Sequence, residues 1–318
     1  MSLFDLRRWY FDVITDGGDV LCVQIVLHRV LASRRALLSA HLVTPDGRQV
    51  REAAALHGAA MKNDQITEAA GRWIARTAAG LRLFLDLPGL QVDLLFAPAG
   101  DWHPNGKGVL LSRGRRSISW EVPLFRTAVS GTIGTGLDKR DARGIGYHDL
   151  IRTDIPPWGL PVRELVWGRA HFPSASLVWH QLTTSEGAVL QNVLAKQDGE
   201  AAGEPGGNAG VRPRPRWIDD YQFRLADPAG SGALVVSHPA FSLALDDDRV
   251  LDDGPVRAPS RIAWPTLGPA LDGLSRRPEE RRAVSSAKLE MGGRRERGLA
   301  VHTRLVWPGP AGAGRLRS

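Results

Sequence analysis

Two short stretches near the middle of the chain carry the residue types that chemistry needs. The first, Gly144-Ile145-Gly146-Tyr147-His148-Asp149, sets a phenol and a carboxyl two positions apart. The second, Trp167-Gly168-Arg169-Ala170-His171, sets an indole, a guanidinium and an imidazole at the same spacing. Strand side chains alternate between faces, so in extended chain Tyr147 and Asp149 share one face and His148 takes the other, while Trp167, Arg169 and His171 stand side by side. Gly144 and Gly146 read as a tight or left-handed backbone that fixes the polar residues after them. Burial disfavours the ionised form of a carboxyl, so a shielded Asp149 would be a proton donor to an alkene or carbonyl, with Tyr147 positioning or relaying the proton. The same residues also make a Gly-rich turn with a capping Asp and a buried, hydrogen-bonded Tyr. Both readings stand at this stage.

The elements around these stretches read as strands. Residues 9–15 are aromatic and β-branched, Asp16-Gly17-Gly18-Asp19 supplies a turn, and residues 20–30 form a long apolar strand, which together predict a β-hairpin. The second strand is apolar on both faces, so it is covered on both sides or lines a cavity, and its Gln24 and His28 become candidate cavity residues. A hydrogen bond near the strand end accounts for His28 equally well. Further strands are predicted at 37–44, 49–52, 81–87, 90–96, 109–111, 117–123 and 128–133, with a helix over 66–79. After Pro156-Pro157-Trp158-Gly159 strands resume at 164–172, 176–183, 188–196, 221–226, 233–236, 241–245, 287–291 and 299–307. Many short strands punctuated by Gly and Pro predict an all-β chain of antiparallel barrels or sandwiches with few short helices. The seam near 158 predicts two domains, 1–158 and 159–318. Within the second, the Gly-, Pro- and Arg-rich residues 198–216 read as a flexible loop and 308–318 as a frayed tail.

Composition narrows the function. With 318 residues, 43% of them hydrophobic, the chain can bury a real core. No run of about 18 apolar residues occurs, so no membrane-spanning helix is expected, and the start lacks a signal-peptide pattern, which predicts a cytoplasmic protein. One cysteine, Cys22, excludes an intrachain disulfide and a thiolate metal cage, and its place in an apolar strand reads as a small core residue. The net charge of +7 raises nucleic acid as a partner. The arginines are nevertheless scattered, with no basic stripe interleaved with aromatics, so no nucleic-acid partner is expected. Phosphate-loop, His-Glu-x-x-His, nucleophile-elbow and dinucleotide-binding spacings are all missing, and the nine histidines are dispersed. No cofactor and no metal are therefore expected. An apolar barrel with a few polar residues suits a hydrophobic small molecule, which peripheral contact would collect from a membrane surface. Trp9, Trp120, Trp158, Trp167 and Trp179 offer aromatic faces that would stabilise a developing carbocation.

Gly-x-Gly-Tyr-His-Asp followed by Trp-Gly-Arg, with Trp9-Tyr10-Phe11-Asp12 near the start, resembles the carotenoid 1,2-hydratase (hydroxyneurosporene synthase) family. That superfamily of paired lipocalin-like barrels includes bacterial terpenoid cyclases and fungal Diels-Alderases. The resemblance implies two tandem lipocalin-like domains and assigns the family's Tyr-x-Asp acid site to Tyr147 and Asp149. It also departs from the hydratases. Their His-Asn pair after the Asp is Leu150-Ile151 here, and their His two residues before an upstream Trp is Ile118 before Trp120. Hydration needs groups that hold and activate water, so these losses favour a cyclase or isomerase, working by acid-assisted or pericyclic ring formation, on a terpenoid, polyene or polyketide-derived substrate. Carotenoid hydration and non-catalytic carriage of a hydrophobic ligand are the alternatives. In the favoured reading Asp149 and Tyr147 are catalytic and face an apolar hollow. Trp167, Arg169, His171, Trp120, Trp9, Gln24, His28 and Trp179 contact the substrate.

Overall fold

The computed structural model describes residues 4–30, 33–56, 60–62, 65–67, 73–97, 107–136, 138–156, 159–197, 216–220, 224–226, 234–255 and 278–307. Trp158, the loop at 102–106, residues 198–215 and the tail from 308 lie outside them. Among the described residues there is no α-helix, and so no helix long and apolar enough to cross a membrane. The described chain divides into two compact units, the first ending at Gly159 and the second beginning at Leu160.

The first unit is one antiparallel sheet of twelve strands. Strands β1 (Phe4–Thr15), β2 (Val20–Val30), β3 (Ser33–Val43) and β4 (Gln49–Ala55) form a meander from its edge inward. β5 (Ala60–Lys62), β6 (Gln65–Thr67), β7 (Trp73–Thr77), β8 (Gly80–Leu87) and β9 (Leu90–Phe96) form a second meander from the opposite edge. Two long strands, β11 (Arg116–Thr135) and β12 (Asp138–Thr153), join them, and β10 (Lys107–Arg113) pairs with the first part of β11. The helix predicted over 66–79 is therefore wrong at its described positions. Ile66 and Thr67 pair with Ile74 and Trp73, and β7 pairs with β8 through the turn at Gly80, so sheet pairing overrides a weak helical pattern. Predicted strands 117–123 and 128–133 are parts of one strand that runs through Pro123. The register shifts twice there, which is how a sheet accommodates a residue with no N–H to donate.

Alternation decides what the sheet encloses. Trp9, Phe11, Val13, Leu21, Val23 and Ile25 from β1 and β2 pack in one cluster with Leu83, Leu85, Val92 and Phe96 from β8 and β9. Strands so distant in the sheet order can share a core only if the sheet curls around it. The curl also brings β4 against the β8–β9 turn, where a Cβ on Gly89 would meet the Glu52 carboxylate.

The second unit repeats the scheme with nine strands in the order β16-β15-β14-β13-β21-β20-β19-β18-β17. They are β13 (Val162–His171), β14 (Ala175–Thr184), β15 (Val189–Gln197), β16 (Arg216–Asp220), β17 (Arg224–Ala226), β18 (Leu234–His238), β19 (Phe241–Pro255), β20 (Glu279–Met291) and β21 (Arg294–Val306). Its core gathers Phe172, Leu177, Trp179, Phe241, Leu243 and Leu289 with several alanines. His238 on β18 meets Asp220 on β16 at 3.1 Å, so strands near opposite edges of the sheet come together and this sheet curls as well.

Candidate functional site

β12 pairs with β1, which pairs with β2, so residues from three distant parts of the sequence stand in rows. One row is Asp149, Tyr10 and Gln24; the next on one side is Ile151, Arg8 and Val26, and on the other Tyr147, Asp12 and Cys22. Cross-strand partners share a face, so all nine lie on one side of the sheet. Trp9, Phe11, His148 and Leu150 fall on the other side, toward the core.

Asp149 is 1% exposed and Tyr147 is fully buried. The Tyr147 hydroxyl donates to one Asp149 oxygen at 3.1 Å, and the Arg8 guanidinium donates to the other at 3.2 Å. Arg8 also lies over the Tyr10 ring, 5.6 Å from its centroid, and Tyr10 meets Tyr147 edge to face at 6.4 Å. The Tyr10 hydroxyl donates to Cys22 Sγ at 3.4 Å. Asp149 is thus an acceptor held from both sides within an aromatic frame, with Tyr147 at the position the sequence expects and Arg8 added to it. The inside of the curled sheet is occupied by side chains, and Asp149 stands on the sheet's outer face, where it is nonetheless buried.

β11 is irregular where it passes these residues. Glu121 pairs with Leu150 and Leu124 with His148, so Val122 and Pro123 together oppose Asp149. Thr127 pairs with Gly146, so Phe125 and Arg126 together oppose Tyr147. Two bulges in one strand, each opposite a candidate catalytic residue, bend the ladder locally, as bulges beside active sites do.

The glycines play a different part from the one expected. Neither Gly144 nor Gly146 has a positive φ. A Cβ on Gly146 would lie 2.4 Å from Val129 Cγ2 and 2.6 Å from Phe96 Cε1, so Gly146 leaves space on the core face for the Phe96 ring. In the second unit, a Cβ on Gly168 would lie 2.4 Å from Trp179 Cζ2 and 2.8 Å from His302 Cβ. Both motifs thus alternate a small residue packed against the core with a candidate site residue on the opposite face.

Of the other sequence candidates in the first unit, Trp120 pairs with Ile151 and shares the Asp149 face. Gln24 stands in the Asp149 row, and His28 two rows away opposite Leu6. Burial, and then the nearby Arg35, hold the His28 imidazole below its ordinary value. Trp9 does not join them; it is fully buried in the core on the opposite side. His148 also turns inward, stacking on Phe11 at 4.1 Å while its Nδ1–H donates to the Tyr10 carbonyl at 2.9 Å. In the second unit, Trp167, Arg169 and His171 share one face, opposite His180, Val178 and Ser176. His171 Nδ1 lies 3.1 Å from the Ser176 hydroxyl. Trp179 faces the core instead. Sequence reasoning missed Arg8 and Tyr10. The polar spacing Arg8-x-Tyr10-x-Asp12 is visible, but its pairing with β12 is not. Among the described residues no three His, Cys, Asp or Glu side chains gather as metal ligands.

His180 stands opposite Trp167, and burial pushes its imidazole from 6.5 down to about 4. The unfolded chain takes up this proton near pH 6.5 and the folded one only near 4, so the stabilising contribution is complete above pH 6.5 and is lost as pH falls from 6.5 toward 4. The expected loss is on the order of 3 kcal/mol. Urea midpoints measured at pH 7 and 4.5 should diverge in the wild type and lie closer together in His180→Gln.

No protein-family profile and no curated protein matches the sequence. Solved structures do match over nearly the whole chain. The AttH-type protein NE1406 of Nitrosomonas europaea superposes with a TM-score of 0.60 at 12% identity, covering 94% of this chain and 91% of that one. CghA superposes with a TM-score of 0.60 at 12% identity, over 97% and 90%, and has also been crystallised with Sch210972. Kievitone hydratase of Nectria haematococca gives 0.55 at 10% identity, over 95% and 88%. The chain accordingly shares the all-β, tandem lipocalin-like fold of these structures.

Proposed function

We propose that the protein is an enzyme, a cofactor-independent cyclase or isomerase acting on a hydrophobic terpenoid, polyene or polyketide-derived molecule. The observation that carries this reading is the buried Arg8–Asp149–Tyr147 network opposite two bulges. In the resting arrangement Asp149 accepts. A group that begins as an acceptor suits a proton-assisted isomerisation or cyclisation, in which a proton is taken at one atom and returned at another and no net proton is left to dispose of. Tyr147, with its O–H on the carboxylate, is the relay, and Arg8 holds the pair in place. Tyr10 and Trp120 supply aromatic surface on the same face. The second unit's Trp167, Arg169 and His171 are candidates for binding rather than proton transfer. Likeness in fold to CghA, bound to Sch210972, and to a hydratase supports an enzyme on this scaffold.

Hydration is the second reading, favoured by the likeness to kievitone hydratase. Against it, His148 is committed to Phe11 and the Tyr10 carbonyl on the core side. Native mass spectrometry of freshly purified protein, followed by incubation of the extracted ligand, separates the readings. We expect an apolar ligand converted to a product of unchanged mass. A gain of one water would favour hydration, and a ligand recovered unaltered after long incubation would favour carriage.

A further inference from the structure

The β10–β11 hairpin stands apart in charge. From Lys107 to Trp120 the sequence has four basic residues, Lys107, Arg113, Arg115 and Arg116, and no acidic one. The turn at Gly114, with φ of 61°, sets Arg113 opposite Arg116, so three guanidinium groups crowd one exposed tip. Like charges facing across a hairpin destabilise it, a cost that an anionic surface would relieve. Arg113 is partly committed, donating to the Gly159 carbonyl at 3.1 Å. Along the same hairpin Val109 is 64% exposed, more than any other exposed large hydrophobic residue described. Its row continues through Ser119 and Arg152 to Arg7. Those two arginines have Glu121 and Asp5 at 3.8 Å, so the excess positive charge sits at the tip.

We propose that this hairpin docks the protein on an anionic lipid bilayer, with the arginines among the headgroups and Val109 entering the interface. A single strand of nucleic acid would call for exposed aromatic rings on which bases stack, whereas Trp120 is 8% exposed and the exposed apolar residue is aliphatic. Each basic residue near such a surface contributes about 1 kcal/mol, so three or four give weak, reversible, salt-sensitive binding. Docking of this kind places the chain where hydrophobic molecules partition, but it does not depend on the proposed activity.

The full chain should co-sediment with phosphatidylcholine vesicles containing about a third phosphatidylglycerol, far less with pure phosphatidylcholine, and be released by high salt. Binding should fall at least about tenfold in R115E/R116E and about threefold in V109S, both exposed and outside the core. The charge-matched control R294E/R295E, at the exposed β20–β21 turn, should bind as wild type. Equal binding to neutral vesicles, unchanged binding by R115E/R116E, or an equal loss in the control overturns the proposal. Tighter binding to a single-stranded oligonucleotide than to anionic vesicles, lost in R115E/R116E, overturns it in favour of nucleic acid. Because the assay reads lipid binding and not turnover, its failure is distinct from failure of the enzymatic reading.

Discussion

Asp149→Asn is expected to fold and to lose about 10²–10⁴-fold in turnover, the range that removal of a positioned proton-transfer group gives. Asparagine keeps the shape and one acceptor oxygen, so the sheet and the row with Tyr10 stay intact. What disappears is the charge that Arg8 and the Tyr147 hydroxyl point at. Breaking a buried, hydrogen-bonded charge pair costs about 2 kcal/mol, large enough to see in a urea titration and too small to account for the activity. Arg8 is not wholly sealed, with 15% of its side chain exposed, so part of its charge is solvated when its partner is gone. Tyr147→Phe separates the roles. It leaves Asp149 and Arg8 paired and removes only the relay, so it should reduce kcat with little change in KM. A Tyr147→Phe variant that matches wild type while Asp149→Asn is inactive would leave proton transfer to Asp149 alone.

The second large effect is on stability. Gly146→Ala and Gly168→Ala each add one methyl group where no space exists. At Gly146 it would lie against Phe96 and Val129, and at Gly168 against Trp179 and His302. The Phe96 and Trp179 rings are fully buried in the two cores and cannot swing into solvent, so the backbone must shift instead. Overpacking of this kind costs about 1–3 kcal/mol, and both sites should fall at the upper end, lowering Tm by roughly 6–12 °C for units of this size. Gly136→Ala is a useful contrast. Its Cβ would meet nothing within 4 Å, so any loss there reflects its φ of 65° rather than crowding. Calorimetry on the three variants distinguishes these causes. Losses at 146 and 168 no larger than at 136 would contradict the core-spacer role assigned to the motif glycines.

Much of the architecture is legible in local pattern. The aromatic and β-branched run 9–15, the Asp-Gly-Gly-Asp turn and the apolar run 20–30 specify the first hairpin, and alternation alone separates Tyr147 and Asp149 from His148. What escapes is whatever depends on pairing between distant strands. Arg8 reaches Asp149 because β1 pairs with β12 more than a hundred residues away, and no local signal announces that register. The bulges at Val122-Pro123 and Phe125-Arg126 are visible only against β12, although Pro123 inside a strand pattern hints at one. Face assignment fails for the same reason. Period-two alternation says which residues share a face but not which face meets the core, so Trp9 and Trp179 read as site residues and prove to be core. The helix expected at 66–79 fails at its described positions because its weak periodicity yields there to pairing with neighbouring strands.

The central claim is that the substrate meets the outer face of the first sheet, where Tyr147, Asp149, Arg8 and Tyr10 converge. A crystal structure of the protein with its co-purified ligand or reaction product tests it most directly. The account predicts ligand atoms within hydrogen-bond or van der Waals reach of the Tyr147 hydroxyl and the Asp149 carboxylate. Ligand lodged on the opposite side, among Trp9, Phe11 and Phe96, would contradict it.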